Sequence, residues 1–373
     1  MDDATQQLDA AILAFIRRHS GRPSSESDFD ALALRVFDYQ FHRNANYRKY
    51  CLMEGKRPGA VRSWRDLPAM PTAGFKELVL STFPLKNTLR VFKTSGTTGQ
   101  AHGAHFFDTL ALYEAAALPV FQRYLMPDGG KPAFFFLISP PREAPHSSLS
   151  YMMGLVNRRF ASGRGRFYVK GGEALYQRLY DDLQVERRRV FMLATAFALK
   201  GFLDFLKAKK ATLRLASGSR LMETGGFKGR VKEVSKDRLY AECQKRLGLK
   251  KTFCVSEYGM TELSSQFYDT TLADAMMKIK RAPFKEGPAW TRTLVTDPRT
   301  GREAARGRRG LLRHIDLANR GSVLAVQTED RGRRAGEGFE LLGRARGAET
   351  RGCSLNYEEF LMAADAVDEA IAR

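Results

Sequence analysis

Apolar residues recur along the chain with two different periods. From Thr5 to His19 they fall at helical intervals, at Leu8, Ile12, Leu13 and Ile16, and Ser20-Gly21-Arg22-Pro23 closes the run. This predicts a helix over 5–19, followed by a second from Phe29 to Asn46. Residues 54–90, broken by Pro58, Pro68, Pro71 and Pro84, read as loops with short helices, anchored by Trp64, Leu67, Phe75 and Leu78 in buried positions. From 91 onward, short β-prone runs at 91–94, 133–138, 166–169, 189–193, 213–216 and 251–255 alternate with helical stretches at 108–126, 172–187, 195–208 and 230–247. Such alternation predicts an α/β fold with a mostly parallel sheet, in which ligands sit at the carboxyl ends of the strands. After 288 the runs at 290–295, 310–315, 322–327 and 338–343 are separated by Gly/Arg-rich turns and predict a small β-rich subdomain. A final helix is expected over 357–372. The expected division is a helical and loop region at 1–90 packed on the body, an α/β core at 91–288, the β-rich subdomain at 289–343 and a short C-terminal segment at 344–373.

The chain has 373 residues, 43% of them hydrophobic, so a sizeable core is available. No apolar run reaches the ~18 residues a membrane span requires. The N-terminus, Met1-Asp2-Asp3-Ala4, lacks a basic-then-apolar leader pattern. The four cysteines, Cys51, Cys243, Cys254 and Cys353, form no C-x-x-C pair. A cytoplasmic protein with free thiols and no structural zinc is expected. The net charge of +20 raises the question of a nucleic-acid partner. The basic residues are spread out, densest from Arg302 to Arg346, and no nucleic-acid-binding signature accompanies them. They read as solvated surface that attracts anionic substrates, and no nucleic-acid partner is expected.

Two segments carry the chemistry. Lys93-Thr94-Ser95-Gly96-Thr97-Thr98-Gly99-Gln100 follows a β-prone run and concentrates hydroxyls and glycines. Such a loop turns backbone N–H groups and hydroxyls toward one anion, or else is an ordinary polar turn. It is not the P-loop of kinases, because no G-x-x-x-x-G-K-[ST] is present. Ser256-Glu257-Tyr258-Gly259-Met260-Thr261-Glu262 ends another apolar run. It offers a ring to stack on a purine, a hydroxyl for a phosphate and a carboxylate for Mg²⁺, or else a strand end with a solvated glutamate.

Together, T-S-G-T-T-G followed by Y-G-M-T-E resembles the adenylate-forming superfamily of acyl-CoA synthetases, nonribosomal adenylation domains and luciferases. Shorter segments resemble its LuxE-type acyl-protein synthetase branch: Trp64-Arg65-Asp66-Leu67-Pro68 with Phe75-Lys76, His146-Ser147-Ser148-Leu149, Gly225-Gly226-Phe227-Lys228, and Gly343-Arg344 running into Arg351-Gly352-Cys353-Ser354. The resemblance implies the layered N-terminal domain of those enzymes, with ATP and Mg²⁺ as cofactors. The 91–288 core would bind the nucleotide. Thr94, Ser95, Gly96, Thr97, Thr98 and Gly99 would hold its phosphates, with Thr261 on a phosphate and Glu262 on the metal. Tyr258 and Gly259 would face the adenine, and Gly225 and Gly226 would let the backbone pass close to it. Asp330 would bind the ribose, and Arg344 the ribose and phosphate. Asp330 also reads as the cap of a turn before Arg331-Gly332, Arg344 as one more exposed arginine, and Gly225-Gly226 as a turn. His146 either lines the acyl pocket or caps the helix that follows.

Only 29 residues follow Arg344. The mobile C-terminal lid of the superfamily, with its catalytic lysine, is therefore expected to be absent or vestigial, leaving Lys228 or Mg²⁺ alone as candidate cations. The LuxE-type resemblance also implies that Cys353 accepts the acyl group as a thioester, with Arg344, Arg346 and Arg351 favouring the thiolate. A buried structural cysteine is the alternative. The expected reaction activates a carboxylic acid, a fatty acid by resemblance, as its acyl-adenylate and transfers it to a thiol, then to a reductase or carrier protein. An acyl- or aryl-CoA ligase and a non-catalytic nucleotide-binding protein are the rival readings.

Overall fold

The computed structural model describes residues 2–94, 102–225 and 235–345. It divides into two compact units. One comprises the chain up to Ala116, Thr261–Ser265 and everything from Phe284; the other comprises Ala117–Met260 and Gln266–Pro283.

The second unit is a parallel sheet between helices. Its strands lie in the order Arg166–Phe167, Ala133–Leu137, Val190–Thr195, Arg220–Thr224 and Cys254–Tyr258, with Phe267–Asp269 antiparallel at the end. The strands Ala133–Leu137, Arg220–Thr224 and Cys254–Tyr258 are buried along their whole length, as expected of a sheet covered on both faces. Helices Tyr176–Val185, Ala196–Ala208 and Lys236–Leu247 supply one layer, with Leu199, Phe202, Leu203 and Leu239 in its core. Each such buried side chain contributes about 1.5–3 kcal/mol.

One expected strand is displaced. Residues 213–216 are not a strand: Leu213 and Leu215 donate their N–H groups to Arg246 O and Leu247 O, carbonyls at the end of helix Lys236–Leu247. The strand forms instead at Arg220–Thr224, whose charged residues hide it from a search for apolar runs. Arg220 is buried there because its guanidinium holds both carboxylate oxygens of Asp128, at 2.9 and 2.7 Å, and Leu125 O at 3.0 Å.

The first unit joins helices to an antiparallel sheet. Asp3–His19 and Glu26–Arg43 match the expected helices, and Ala45–Met53 is a separate third one. Asn44 makes the break: its side chain accepts from Tyr47 N–H and caps the third helix. Trp64, Leu67 and Phe75 are buried as anchors, whereas Leu78 is half-buried. The sheet runs Thr291–Thr296, Arg309–Asp316, Ala325–Ala335, Gly338–Arg344 and Lys285–Glu286, all antiparallel, with Met70–Pro71 added in parallel on Ala325–Ala335. In the turn between the second and third of these strands, Arg320 is buried and doubly bonded to both Asp9 and Asp108, at 2.7–3.0 Å. The expected final helix at 357–372 lies outside the described residues.

Candidate active site

Ser95, Gly96, Thr97, Thr98 and Gly99 lie outside the described residues; the strands on either side of 95–101 are described. Arg90–Lys93 pairs antiparallel with Ala104–Phe107, Lys93 opposite Ala104. Beyond that pair Thr94 N–H donates to Gly103 O and Gly103 N–H donates to Thr94 Oγ1, both at 2.8 Å, and His102 Nδ1 donates to Thr94 O at 2.7 Å. Thr94 thus continues the strand pair with its backbone and its hydroxyl. The space opposite Thr94 is tight, since a Cβ on Gly103 would lie 3.0 Å from Thr94 Cγ2 and 3.4 Å from Phe75 O.

The Thr261–Ser265 segment meets this strand pair. Thr261 Oγ1 donates to Lys93 O at 3.4 Å, and His105 Nδ1 donates to Thr261 O at 2.9 Å. His105 is buried, which lowers its pKa to about 4 against the pull of that hydrogen bond, so the ring is neutral with its proton on Nδ1. The rest of the segment hangs from the turn after strand Arg309–Asp316. Asn319 Nδ2 donates to Glu262 O at 2.7 Å. Asp316 accepts from Ser264 N–H, Ser265 N–H, Ser265 Oγ and Ala318 N–H at 2.8–3.0 Å. Burial still pushes the Asp316 carboxyl up to about 6, with those four donors pulling it down.

Glu262 is buried, and burial pushes its carboxyl up to about 7. Its own backbone N–H, Arg344 and Lys76 favour the charged form, while Asp330 opposes it. Asp330 stands in mid-strand directly opposite Arg344, Oδ1 to Nε 3.7 Å. It therefore does not cap a turn; its own N–H is taken by Thr328 Oγ1 at 3.1 Å. Arg344 is largely exposed at the end of its strand. A carboxylate strained by burial beside a second acid fits a divalent cation that arrives with a polyphosphate. Among the described residues no group of three or more His, Cys, Asp or Glu is placed to hold a metal unaided. Mg²⁺ suits that arrangement, because it takes one or two carboxylates plus phosphate oxygens.

In the second unit, Tyr258 ends its strand buried, edge-on to Phe267 with ring centroids 5.9 Å apart. Thr224 Oγ1 donates to Glu257 Oε2 across the parallel ladder, and a Cβ on Gly259 would collide with the same carboxylate. Gly225 follows the end of the neighbouring strand with φ +76°, a left-handed conformation that favours glycine. Gly226, Lys228 and Cys353 lie outside the described residues. His146 is exposed and does not cap the helix Ser148–Phe160; Ser147 does, accepting from Ser150 N–H at 3.1 Å. The three described thiols, Cys51, Cys243 and Cys254, are buried, and burial raises Cys51 to about 12. His105, Asp316, Asn319 and Lys76 were not singled out by their spacing. The available signals were the Asp316-to-Asn319 pair just past an apolar run, suited to turn-forming hydrogen bonds, and the Phe75-Lys76 match.

The sequence matches the acyl-protein synthetase (LuxE) family over residues 20–362. No curated protein matches it. Among solved structures, the fold is similar to 2-hydroxyisobutyryl-CoA ligase in its postadenylation state with 2-HIB-AMP. That likeness has 15% identity and TM-score 0.64, over 88% of this chain and 70% of that one. An open conformation of the same ligase, with 2-HIB-AMP and CoA, gives 15% identity and TM-score 0.63 over 88% and 77%. Among the described residues no helix is long and apolar enough to cross a membrane. The match over nearly the whole chain, on the fold just described, identifies the protein as a member of the LuxE acyl-protein synthetase family and an adenylate-forming ligase.

Proposed function

We propose that the enzyme uses MgATP to activate a carboxylic acid, with fatty acids as the class, as its acyl-adenylate, and then transfers the acyl group to Cys353 and on to a protein partner. The observation that carries this reading is the meeting of Thr261 with Lys93 O at the end of that strand pair, while Glu262 is buried in the field of Asp330 and Arg344. Segments 168 residues apart in sequence are thereby brought to one place.

In this reading residues 94–99 and Thr261 hold the phosphates, Glu262 the metal, Asp330 the ribose, and Arg344 the ribose and a phosphate. Tyr258 and Gly259, with Gly225 and Gly226, face the adenine, and His146 lines the acyl pocket. A carboxylate oxygen attacks the α-phosphorus, and the bond from that phosphorus to pyrophosphate breaks. Both partners are anions. Two unit charges 4 Å apart repel by about 4 kcal/mol at an effective dielectric of about 20, so charge neutralisation and positioning are the main tasks of the protein. Mg²⁺, when bound, supplies part of that neutralisation. The Cys353 thiolate, favoured by Arg351, then attacks the acyl carbon and AMP leaves as the thioester forms.

The test is ATP–pyrophosphate exchange against a panel of acids, followed by intact mass. Exchange with medium- or long-chain acids, and an acyl adduct that disappears in Cys353→Ser while exchange persists, is the expected result. Absence of exchange with every acid rejects the function. Exchange without an adduct, and with acyl-CoA formed from free CoA, moves the acceptor from Cys353 to CoA.

A further inference from the structure

One short segment spans the elements around Glu262, and it carries an ammonium group. Met70–Pro71 adds to strand Ala325–Ala335 with Met70 opposite Val326 and Pro71 opposite Gln327, and Thr72 N–H donates to Gln327 O at 3.1 Å. Asp330 stands three residues further along that strand. The helical turn Gly74–Glu77 then crosses the strand pair that flanks 95–101. Phe75 O lies 3.4 Å from the position a Gly103 Cβ would take, and the Phe75 ring packs on His105 at 6.0 Å, the imidazole that holds Thr261. Phe75 is buried and the next residue, Lys76, is exposed, so an apolar anchor fixes the base of a projecting cation.

The residue before Lys76 packs on His105, and His105 bonds the carbonyl of Thr261, the residue before Glu262. Arg344 pairs with Asp330, Nε to Oδ1 3.7 Å, and has its own place at the ribose and a phosphate in the function proposed above. Among the described residues Lys76 makes no ion pair, which leaves its charge available to an incoming anion. A lysine ammonium is a compact point charge on a flexible stem, suited to follow oxygens that move as a bond forms.

We infer that Lys76 is a catalytic residue of the adenylation step, its ammonium placed between the carboxylate of the acid and the α-phosphate of ATP as they close on one another. This rests on the function proposed above. The carboxylate oxygen bonds to the α-phosphorus while the bond from that phosphorus to the bridging oxygen breaks, and the electron pair leaves with pyrophosphate. Lys76 keeps its protons throughout and offsets the charge that accumulates on the non-bridging oxygens.

Lys76→Met and Lys76→Arg, compared with the unaltered enzyme, test the inference. Exchange is measured over a range of ATP and acid concentrations, ATP affinity by titration without acid, and Tm by circular dichroism. The methionine variant is expected to lose about 100-fold or more in exchange kcat, as when one transition-state donor is removed elsewhere. Its ATP Kd should stay within about three-fold and its Tm unchanged, because the side chain is exposed; the arginine variant should recover part of the rate. An exchange kcat within about three-fold of the unaltered enzyme, or a loss confined to ATP Kd, overturns the inference. Should Lys76→Met fail to fold, Lys76→Gln is held to the same criteria. If the unaltered enzyme itself shows no exchange, the proposed function fails first and the role of Lys76 with it.

Discussion

The stretch from Ser256 to Glu262 is held in two different ways. As far as Tyr258 it is a buried strand. Its backbone is tied into ladders with Arg220–Thr224 on one side and Phe267–Asp269 on the other. From Thr261 the chain belongs to the first unit and has no ladder. It hangs from side chains: His105, Asn319 and Asp316, with Trp290 Nε1 on Ser265 Oγ at 3.1 Å. A ladder fixes the backbone and leaves side chains open to choice. A suspended segment stores its geometry in the side chains of distant residues, so one substitution far along the sequence can move the carboxylate of Glu262.

The sharpest way to break this contrast is Glu262→Gln. On the proposed role of Glu262 at the metal, exchange should fall by about 10³-fold or more. Stability should move the other way. The folded-state pKa of about 7 exceeds the ordinary 4.5, so the native state keeps a proton that the unfolded chain releases. The stability this gives is complete at low pH and is lost as pH rises through 7, by up to about 3 kcal/mol. Without Mg²⁺, the glutamine variant should therefore melt above the unaltered enzyme at pH 8 and level with it at pH 4.5. Melting curves that coincide at both pH values would show that the carboxylate is not held against its preference.

Next in size is Asp316→Ala, which strands three N–H groups and a hydroxyl in the interior. Urea denaturation should show a loss of about 3 kcal/mol, with exchange reduced alongside it. Ser256→Ala, in the ladder-held half, should cost no more than about 1 kcal/mol. Equal losses at the two positions would erase the distinction between the halves. A separate effect, on substrate binding rather than stability, belongs to Tyr258→Leu. If its ring stacks on adenine, the KM for ATP should rise about ten-fold with kcat nearly unchanged, since stacking on a base is worth about 1–3 kcal/mol. An unaltered KM would remove Tyr258 from the nucleotide.

The same contrast explains what was legible in the sequence. Strands such as Ala133–Leu137 and Cys254–Tyr258, and helices such as Ala196–Ala208, declare themselves through apolar runs and periodicity, because the ladder and the core that hold them are regular. Arg220–Thr224 was hidden because its burial depends on Asp128, a partner 92 residues away. Asp330 and Arg344 were singled out by motif resemblance, and their pairing across adjacent strands follows from register. Asp316, Asn319 and His105 act through hydrogen bonds to backbone atoms of residues 51 to 156 positions distant, which leave no period to read.

The family match begins at residue 20, yet Asp9, on the helix before it, holds one side of the buried Arg320 guanidinium. A chain trimmed to the matched region would lose more than a peripheral helix. Water would reach a half-neutralised guanidinium next to Asn319, and the looseness would travel one residue to the amide that holds Glu262 O. For anyone shortening this enzyme, the leading helix is therefore a remote part of the support beneath Glu262.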